Sequence, residues 1–558
     1  MAKTTGAKLF AEIMQGYGIT HVFYVPQVVS KALVAMEDMP IRRVVAHSEK
    51  AAGYMADGYA RARGGPGVCM AQPIGASNLA SGLRDAYMAR SPVIAISGGP
   101  TPASRYRHSY QEVEDFDQFN GVTKSNVNVD SPSRVPDLMR QAFRTATSGT
   151  PGPVHLRFQG RLSEVPLGDT DEEAVIEQQF ARVPPFRPEP EAERVREAAA
   201  VLAAAKKPII IAGGGVVWSQ AQREVVELAE KLKIPVVTSL NGKGVILDTH
   251  PLSVGVAGTY SRECANRVVS EADLVFFIGS PAGGMVTASW ALIAPGTAVM
   301  QLDIEPTELG RNYPNKVALL GDAKVSLRRL IDAAQAKEGT TKAWVGRVQQ
   351  LVAEWRAQAA PKLNSDAVPM DPARICKEIT NALPANGVVV ADTGHAGMWT
   401  SQFIDLNQPG QRYIRCAGSL GWGLPGAIGV KCALPNQPVL CFTGDGGMYY
   451  HMIELDTALR YGINLVVLVN NNRALSQEFP SLNRNYGGNM RGHSDELWRF
   501  GEFNFAKVAE AMGCAGFRVE QPGELKGVLQ KAFTMNKPVV VEVMSDVSLM
   551  APVAWVPK

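Results

Sequence analysis

Asp445 and Asn472 stand 27 positions apart, each just beyond an apolar run: PVLCFTG before the first, NLVVLV before the second. One carboxylate and one amide carbonyl make an all-oxygen donor set of low charge. Mg²⁺ suits such a set when phosphate oxygens and water complete its octahedron. Glycines surround Asp445 in the stretch GDGG, so backbone N–H groups can come close to a phosphate. A helix beginning there turns its positive end to the same spot. Alone, G-D-G is a common turn and N-N-N a common loop. The pair gains meaning from what lies between.

That intervening stretch, HMIELDTALRYG, has apolar residues at helical spacing. Strand, helix and strand then form a right-handed crossover that sets the two strands side by side. Both residues project from one sheet edge, where open α/β sheets place their ligands. The same alternation runs along the whole chain, through HVFYV, GVCMAQ, KPIIIAGGG, ADLVFFIGS and GVVVADTG. It predicts an α/β protein of doubly wound parallel sheets. Two polar, Pro-marked stretches, EVPLGDTDEE…RVPPFRPEPE and APKLNSDAVPMDPARI, read as linkers. They divide the chain into blocks at about 1–170, 190–340 and 366–550.

At 558 residues, with 46% hydrophobic and 20% charged residues, the chain can bury several cores. A net charge of +3 without a basic tract argues against nucleic acid and for small-molecule chemistry. No apolar run reaches the roughly 18 residues of a membrane span. Seven cysteines, none paired as C-x-x-C, read as reduced, buried thiols of a cytoplasmic protein.

The GDG…NN signature resembles that of the thiamine-diphosphate-dependent enzymes, whose three domains bind pyrimidine, form a centre and bind pyrophosphate. The resemblance implies thiamine diphosphate and Mg²⁺ as cofactors, with Asp445, Asn472 and the carbonyl of Ala474 as metal ligands. Gly446 and Gly447 belong to the same motif. DTGHAGMW looks like the diphosphate-cradling loop, with Gly394, His395 and Ala396. In GSLGWGLPGAIG, Gly418 would offer its carbonyl to the aminopyrimidine and Leu420 would hold the cofactor bent. HSEKAAGYMADGYARARG looks like the segment that carries the family's glutamate, here Glu49. A carboxyl among such small apolar neighbours stays protonated more readily. It could favour the imino form of the pyrimidine, which serves as base toward the thiazolium.

RYRHSYQEVEDFDQFNGVTKSN and SGTPGPVHLRF resemble the acetolactate synthase and pyruvate oxidase branch. There Tyr110 and Gln111 take the places of a Phe and a Gln beside the substrate, and His108 stands near them. A hydrated loop is the competing reading of all three. The branch implies a non-redox lyase or carboligase acting on a 2-oxo acid such as pyruvate. A decarboxylase releasing an aldehyde, a 2-hydroxyacyl-CoA lyase and a cyclic-diketone-cleaving enzyme remain alternatives. A silent regulatory homologue would be expected to lose Glu49 or Asp445, and both are present. QPIG and VFYVPQVV depart from the branch's glycine-rich loops, which leaves the substrate open. The loop GSPAGGMVTASW has no charge, so no functional FAD is expected. In the family the glutamate and the metal set meet across two chains, which implies a homodimer or homotetramer.

Overall fold

The structure, a computed structural model, describes residues 3–336 and 341–558. Residues 1–2 and 337–340, at the margins of the first two predicted blocks, lie outside the described residues.

Three six-stranded sheets carry the chain, and every strand pair within them is parallel. The first sheet contains β1 (His21–Tyr24), β2 (Arg42–Val45), β3 (Gly67–Ala71), β4 (Val93–Gly99), β5 (Asn126–Val129) and β6 (Val154–Gln159), in the order β2-β1-β3-β4-β6-β5. Helix α1 (Glu49–Arg63) links β2 to β3, and α2 (Ala76–Met88) links β3 to β4. The second sheet contains β7 (Pro208–Ala212), β8 (Val236–Thr238), β9 (Ser253–Val256), β10 (Leu274–Ile278), β11 (Ala298–Asp303) and β12 (Val317–Leu320). Its order, β9-β8-β7-β10-β11-β12, is that of a dinucleotide-binding fold.

The third sheet begins with β13 (Val388–Ala391), α3 (His395–Phe403), β14 (Arg412–Arg415) and α4 (Gly423–Ala433). It continues with β15 (Val439–Gly444), α5 (Asp445–His451), α6 (Glu454–Arg460), β16 (Val466–Asn471), β17 (Ala515–Val519) and β18 (Val539–Met544). Its order, β14-β13-β15-β16-β18-β17, repeats the first sheet's connectivity strand for strand. The strand order reverses between β1 and β3 in the first sheet and between β13 and β15 in the third, the place where doubly wound sheets receive their ligands.

The helix expected over HMIELDTALRYG starts earlier, at Asp445, and breaks at Met452–Ile453 into α5 and α6. The stretch APKLNSDAVPMDPARI is only in part a linker. Helix Lys342–Leu363 runs into it, anchored by buried Trp344, Val348, Leu351, Trp355 and Ala359 at helical spacing.

Cores lie on both faces of each sheet. One of them joins the first and third sheets through α1 and α4. These helices cross so closely that a Cβ at Gly58 would stand 2.0 Å from the Gly426 oxygen, and one at Gly429 would stand 1.9 Å from the Met55 oxygen. Backbone against backbone fixes the two lobes in one register. All seven cysteines are buried and unbonded. Among the described residues no helix is long and apolar enough to cross a membrane.

Candidate active site

Strands β15 and β16 are neighbours, with Gly444 paired to Asn470. Their ends therefore bring Asp445 and the asparagine run to one edge. Asp445 is 3% exposed. Its Oδ1 accepts from Gly446 N at 2.8 Å and its Oδ2 from Ala474 N at 3.0 Å. Burial raises its pKa to about 6, against the lowering effect of those N–H bonds. Among the described residues no Lys, Arg or His pairs with it. A buried carboxylate that meets only N–H dipoles still lacks a cation to offset its desolvation.

Asn472 Nδ2 donates to Ser476 Oγ at 3.0 Å, so its carbonyl oxygen is the end left to coordinate. The same Ser476 hydroxyl lies 2.8 Å from His395 Nδ1. One serine thus ties the asparagine loop to the start of α3, where Gly394 is the cap and Ala396 is buried. Burial lowers the His395 pKa to about 4, so at neutral pH the imidazole is uncharged. The structure brings Asp445, Asn472, Ala474, Gly394, His395 and Ala396 together beside the switch point.

Gly446 and Gly447 also pack closely against the protein's own side chains. A Cβ at Gly446 would lie 2.5 Å from Leu475 Cδ2, and one at Gly447 would lie 2.7 Å from Asp392 Oδ2. At both positions a side chain would press on protein side chains that would have to shift. The open side is at Gly444, where a Cβ would meet nothing within 4 Å.

Asp392 was not singled out from the sequence, although it too follows an apolar strand directly. Its Oδ1 accepts from Thr393 N at 2.8 Å and Gly421 N at 3.2 Å, and its Oδ2 accepts from Thr443 Oγ1 at 3.0 Å. It joins the loops after β13, β14 and β15 at one buried point. Burial raises its pKa to about 6. Gly418 is exposed and Leu420 half-buried on the loop between β14 and α4. That loop is held by Asp85 of α2, which accepts from Ala417 N (2.8 Å), Gly418 N (2.9 Å) and Ser419 N (3.0 Å). In sequence Asp85 reads as an ordinary helix-surface acid, and nothing local marks it.

Glu49 is the first residue of α1, which is capped by Ser48. Its carboxylate accepts from Asn78 Nδ2 at 3.2 Å and lies against Gly75, where a Cβ would stand 2.4 Å from Glu49 Oε1. It is half-buried in the single chain rather than enclosed. Its neighbour His47 is anchored on α6, through Glu454 (3.0 Å) and Asp456 (2.7 Å). Among the described residues no hydrogen bond or ion pair joins Glu49 to Asp445, Asn472 or the loop at Gly394.

His108, Tyr110 and Gln111 sit together on the loop after β4. His108 is exposed with φ 54°, and Gln111 has φ 62°. Tyr110 is 72% exposed, with the Arg161 guanidinium 5.4 Å from its ring centre. The Gln111 Oε1 is buried without a partner. Glu112 fastens the loop by accepting from Tyr106 N and from Ser109 N at 2.8 Å.

A separate cavity of about 1450 Å³ opens at the carboxyl end of the central sheet, lined by Gly214, Ser280 and Asp303. The uncharged loop GSPAGGMVTASW does border it, but Arg63, Arg90 and Arg412 from the flanking lobes supply charge there. Reading one loop alone could not show that.

Residues 4–120 match the family model described as thiamine pyrophosphate enzyme, N-terminal TPP binding domain. Residues 195–330 match the central domain of the same enzymes, and residues 392–543 their C-terminal TPP binding domain. A probable acetolactate synthase large subunit from Methanocaldococcus jannaschii is 32% identical over 97% of this chain and 92% of its own length. The acetolactate synthase isozyme 1 large subunit of Escherichia coli is 29% identical over 97% of this chain and 94% of its own.

Proposed function

The chain belongs to the thiamine pyrophosphate enzymes, and on that premise we propose that it is a carboligase of the acetolactate synthase type, acting on a 2-oxo acid such as pyruvate. The observation that carries this reading is Asp445: a buried carboxylate at the sheet's switch point that accepts from the Gly446 and Ala474 N–H groups and, among the described residues, pairs with no cation, with Asn472 two residues from Ala474. That donor set fits Mg²⁺ bearing a diphosphate. Asp445, Asn472 and the Ala474 carbonyl would hold the metal, and Gly394, His395 and Ala396 would border the diphosphate. Neutral His395 adds no competing charge. Gly418 and Leu420 would receive the rings. When bound, thiamine diphosphate supplies a ring carbon that adds to the 2-oxo acid carbonyl and takes up the electrons released as CO₂ leaves.

The protein's own work is placement and proton handling. Glu49 would hold a proton against the pyrimidine ring nitrogen, with Asn78 and Gly75 fixing its carboxyl. His108, Tyr110 and Gln111 would border the substrate, where donors steady developing negative charge. The block 1–170 would thus face the pyrimidine and the block 366–550 the diphosphate. Glu49 and Asp445 share no hydrogen bond or ion pair among the described residues, and a second copy would complete each site. Exposed Tyr450 (56%), Ile453 (49%) and Met88 (54%) supply apolar area for such a contact. The product formed from pyruvate, with and without an added aldehyde or second 2-oxo acid, tests the reading. A 2-hydroxy ketone or 2-hydroxy-2-methyl-3-oxo acid is expected. Release of free acetaldehyde alone would favour the decarboxylase.

A further inference from the structure

The loop Arg415–Trp422 is fastened to the first lobe at several points. Asp85 takes three consecutive N–H groups, from Ala417, Gly418 and Ser419. Arg61 of α1 donates to the Arg415 carbonyl and, at 3.1 Å, to Asp85 Oδ2. Arg61 also pairs with Asp57 through two bonds of 2.8 and 2.6 Å. Asp57 in turn accepts from Trp422 Nε1 at 3.0 Å. Asp57 and Asp85 are both fully buried. Two carboxylates share one guanidinium, and the three N–H groups supply the further hydrogen bonds that a carboxyl buried away from water requires.

The consequence lies on the other side of the peptide units. A peptide is planar and trans, so its N–H and C=O point in opposite directions. The Ser419 N–H and the Gly418 carbonyl belong to one unit. Pinning that N–H on Asp85 turns the Gly418 oxygen away from Asp85. Donation to a charged acceptor also polarises the unit and strengthens the carbonyl as an acceptor.

We infer that Asp85 is a positioning residue, which aims the Gly418 carbonyl at the exocyclic amino group of the cofactor's pyrimidine. This rests on the thiamine diphosphate reading above. Asp85 touches no reacting atom; it acts through Gly418.

The test compares thiamine diphosphate with its analogue lacking the pyrimidine amino group, each titrated with Mg²⁺ by calorimetry. The wild type should prefer the full cofactor by about tenfold, the upper range for one hydrogen bond. In Asp85→Asn that preference should fall to about twofold or less. Asp57→Asn disturbs the same ion network but leaves the three N–H bonds, and should keep the preference. A wild-type preference in Asp85→Asn, or an equal loss in Asp57→Asn, overturns the inference. Should Asp85→Asn fail to fold, amide hydrogen exchange on the wild type decides. Residues 415–422 should be protected before any cofactor is added. Fast exchange there, slowed only by cofactor, would assign the ordering to the cofactor and overturn the inference. A wild type that binds neither compound contradicts the thiamine reading instead, while exchange still reports on the loop.

Discussion

The first and third sheets share a strand order and reverse it at the same point, but the two switch points are finished differently. In the third, buried Asp445 and Asp392 gather N–H groups and a hydroxyl from several loops, and Ser476 ties two of those loops together. In the first, the departing loops meet through Gln72 Nε2 and the Pro26 carbonyl at 3.0 Å, beside an exposed loop with several left-handed residues. One switch point is a rigid grip. The other holds Glu49 half-buried, against Gly75 and Asn78. In the proposed reading a shared scaffold would divide holding from proton handling by where its buried polar atoms find partners.

The sharpest way to break this contrast is Asp445→Ala. It should weaken Mg²⁺-dependent binding of thiamine diphosphate by at least about 100-fold, the order expected for losing a charged ligand. Calorimetry reads it, and binding within a few-fold of wild type would remove the grip from the account. On the other side, Glu49→Gln should leave cofactor affinity within about threefold and lower turnover by about 100-fold or more, the range of general acid–base catalysis. Equal losses in affinity and rate would erase the division of labour.

Gly75→Ala addresses the support rather than the acid. A methyl 2.4 Å from the Glu49 carboxylate must displace it. Turnover should fall by about tenfold or more with affinity unchanged, since misplaced groups lose rate before binding. Asp392 sharpens the rigid side through pH. Burial holds its folded pKa at about 6, above the ordinary aspartate value of 3.8. The stability it contributes is full below the lower value and is lost as pH rises through about 6. Asp392→Asn should lack that loss, so the difference in unfolding free energy between the two proteins should change by an amount on the order of 3 kcal/mol from pH 4 to pH 7. Urea melts at both pH values would show a constant difference if the carboxyl is not raised. The smallest effect belongs to Tyr110→Phe. On an exposed loop it should leave stability within about 0.5 kcal/mol and raise KM for the 2-oxo acid severalfold; an unchanged KM would detach the Tyr110 hydroxyl, though not its ring, from the substrate.

Much of this was legible because buried parallel strands write themselves as continuous apolar runs, such as Pro208–Ala212 and Val466–Asn471. The strands missed were edge strands, among them Asn126–Val129, Arg412–Arg415 and Ala515–Val519, whose half-exposed residues break the run. Asp445 and Asn472 were readable because polar residues at the ends of apolar runs stand out. Asp392 carried the same signal and was passed over for the glycine and histidine that follow it. Asp85 and Ser476 could not be found that way. Their partners lie far away in the chain, or on a loop whose path no local pattern fixes. The half-buried state of Glu49 was hidden for a related reason: small apolar neighbours predict burial, but not which side of the helix start is covered.

The central claim is that the third sheet's switch point grips a diphosphate through a divalent cation. Titration of thiamine diphosphate into the purified protein, with Mg²⁺ and again in excess chelator, tests it directly. The account predicts uptake of one equivalent per chain with Mg²⁺ and at least tenfold weaker binding without it, about 1.4 kcal/mol or more. No uptake, or the same affinity in chelator, would contradict it.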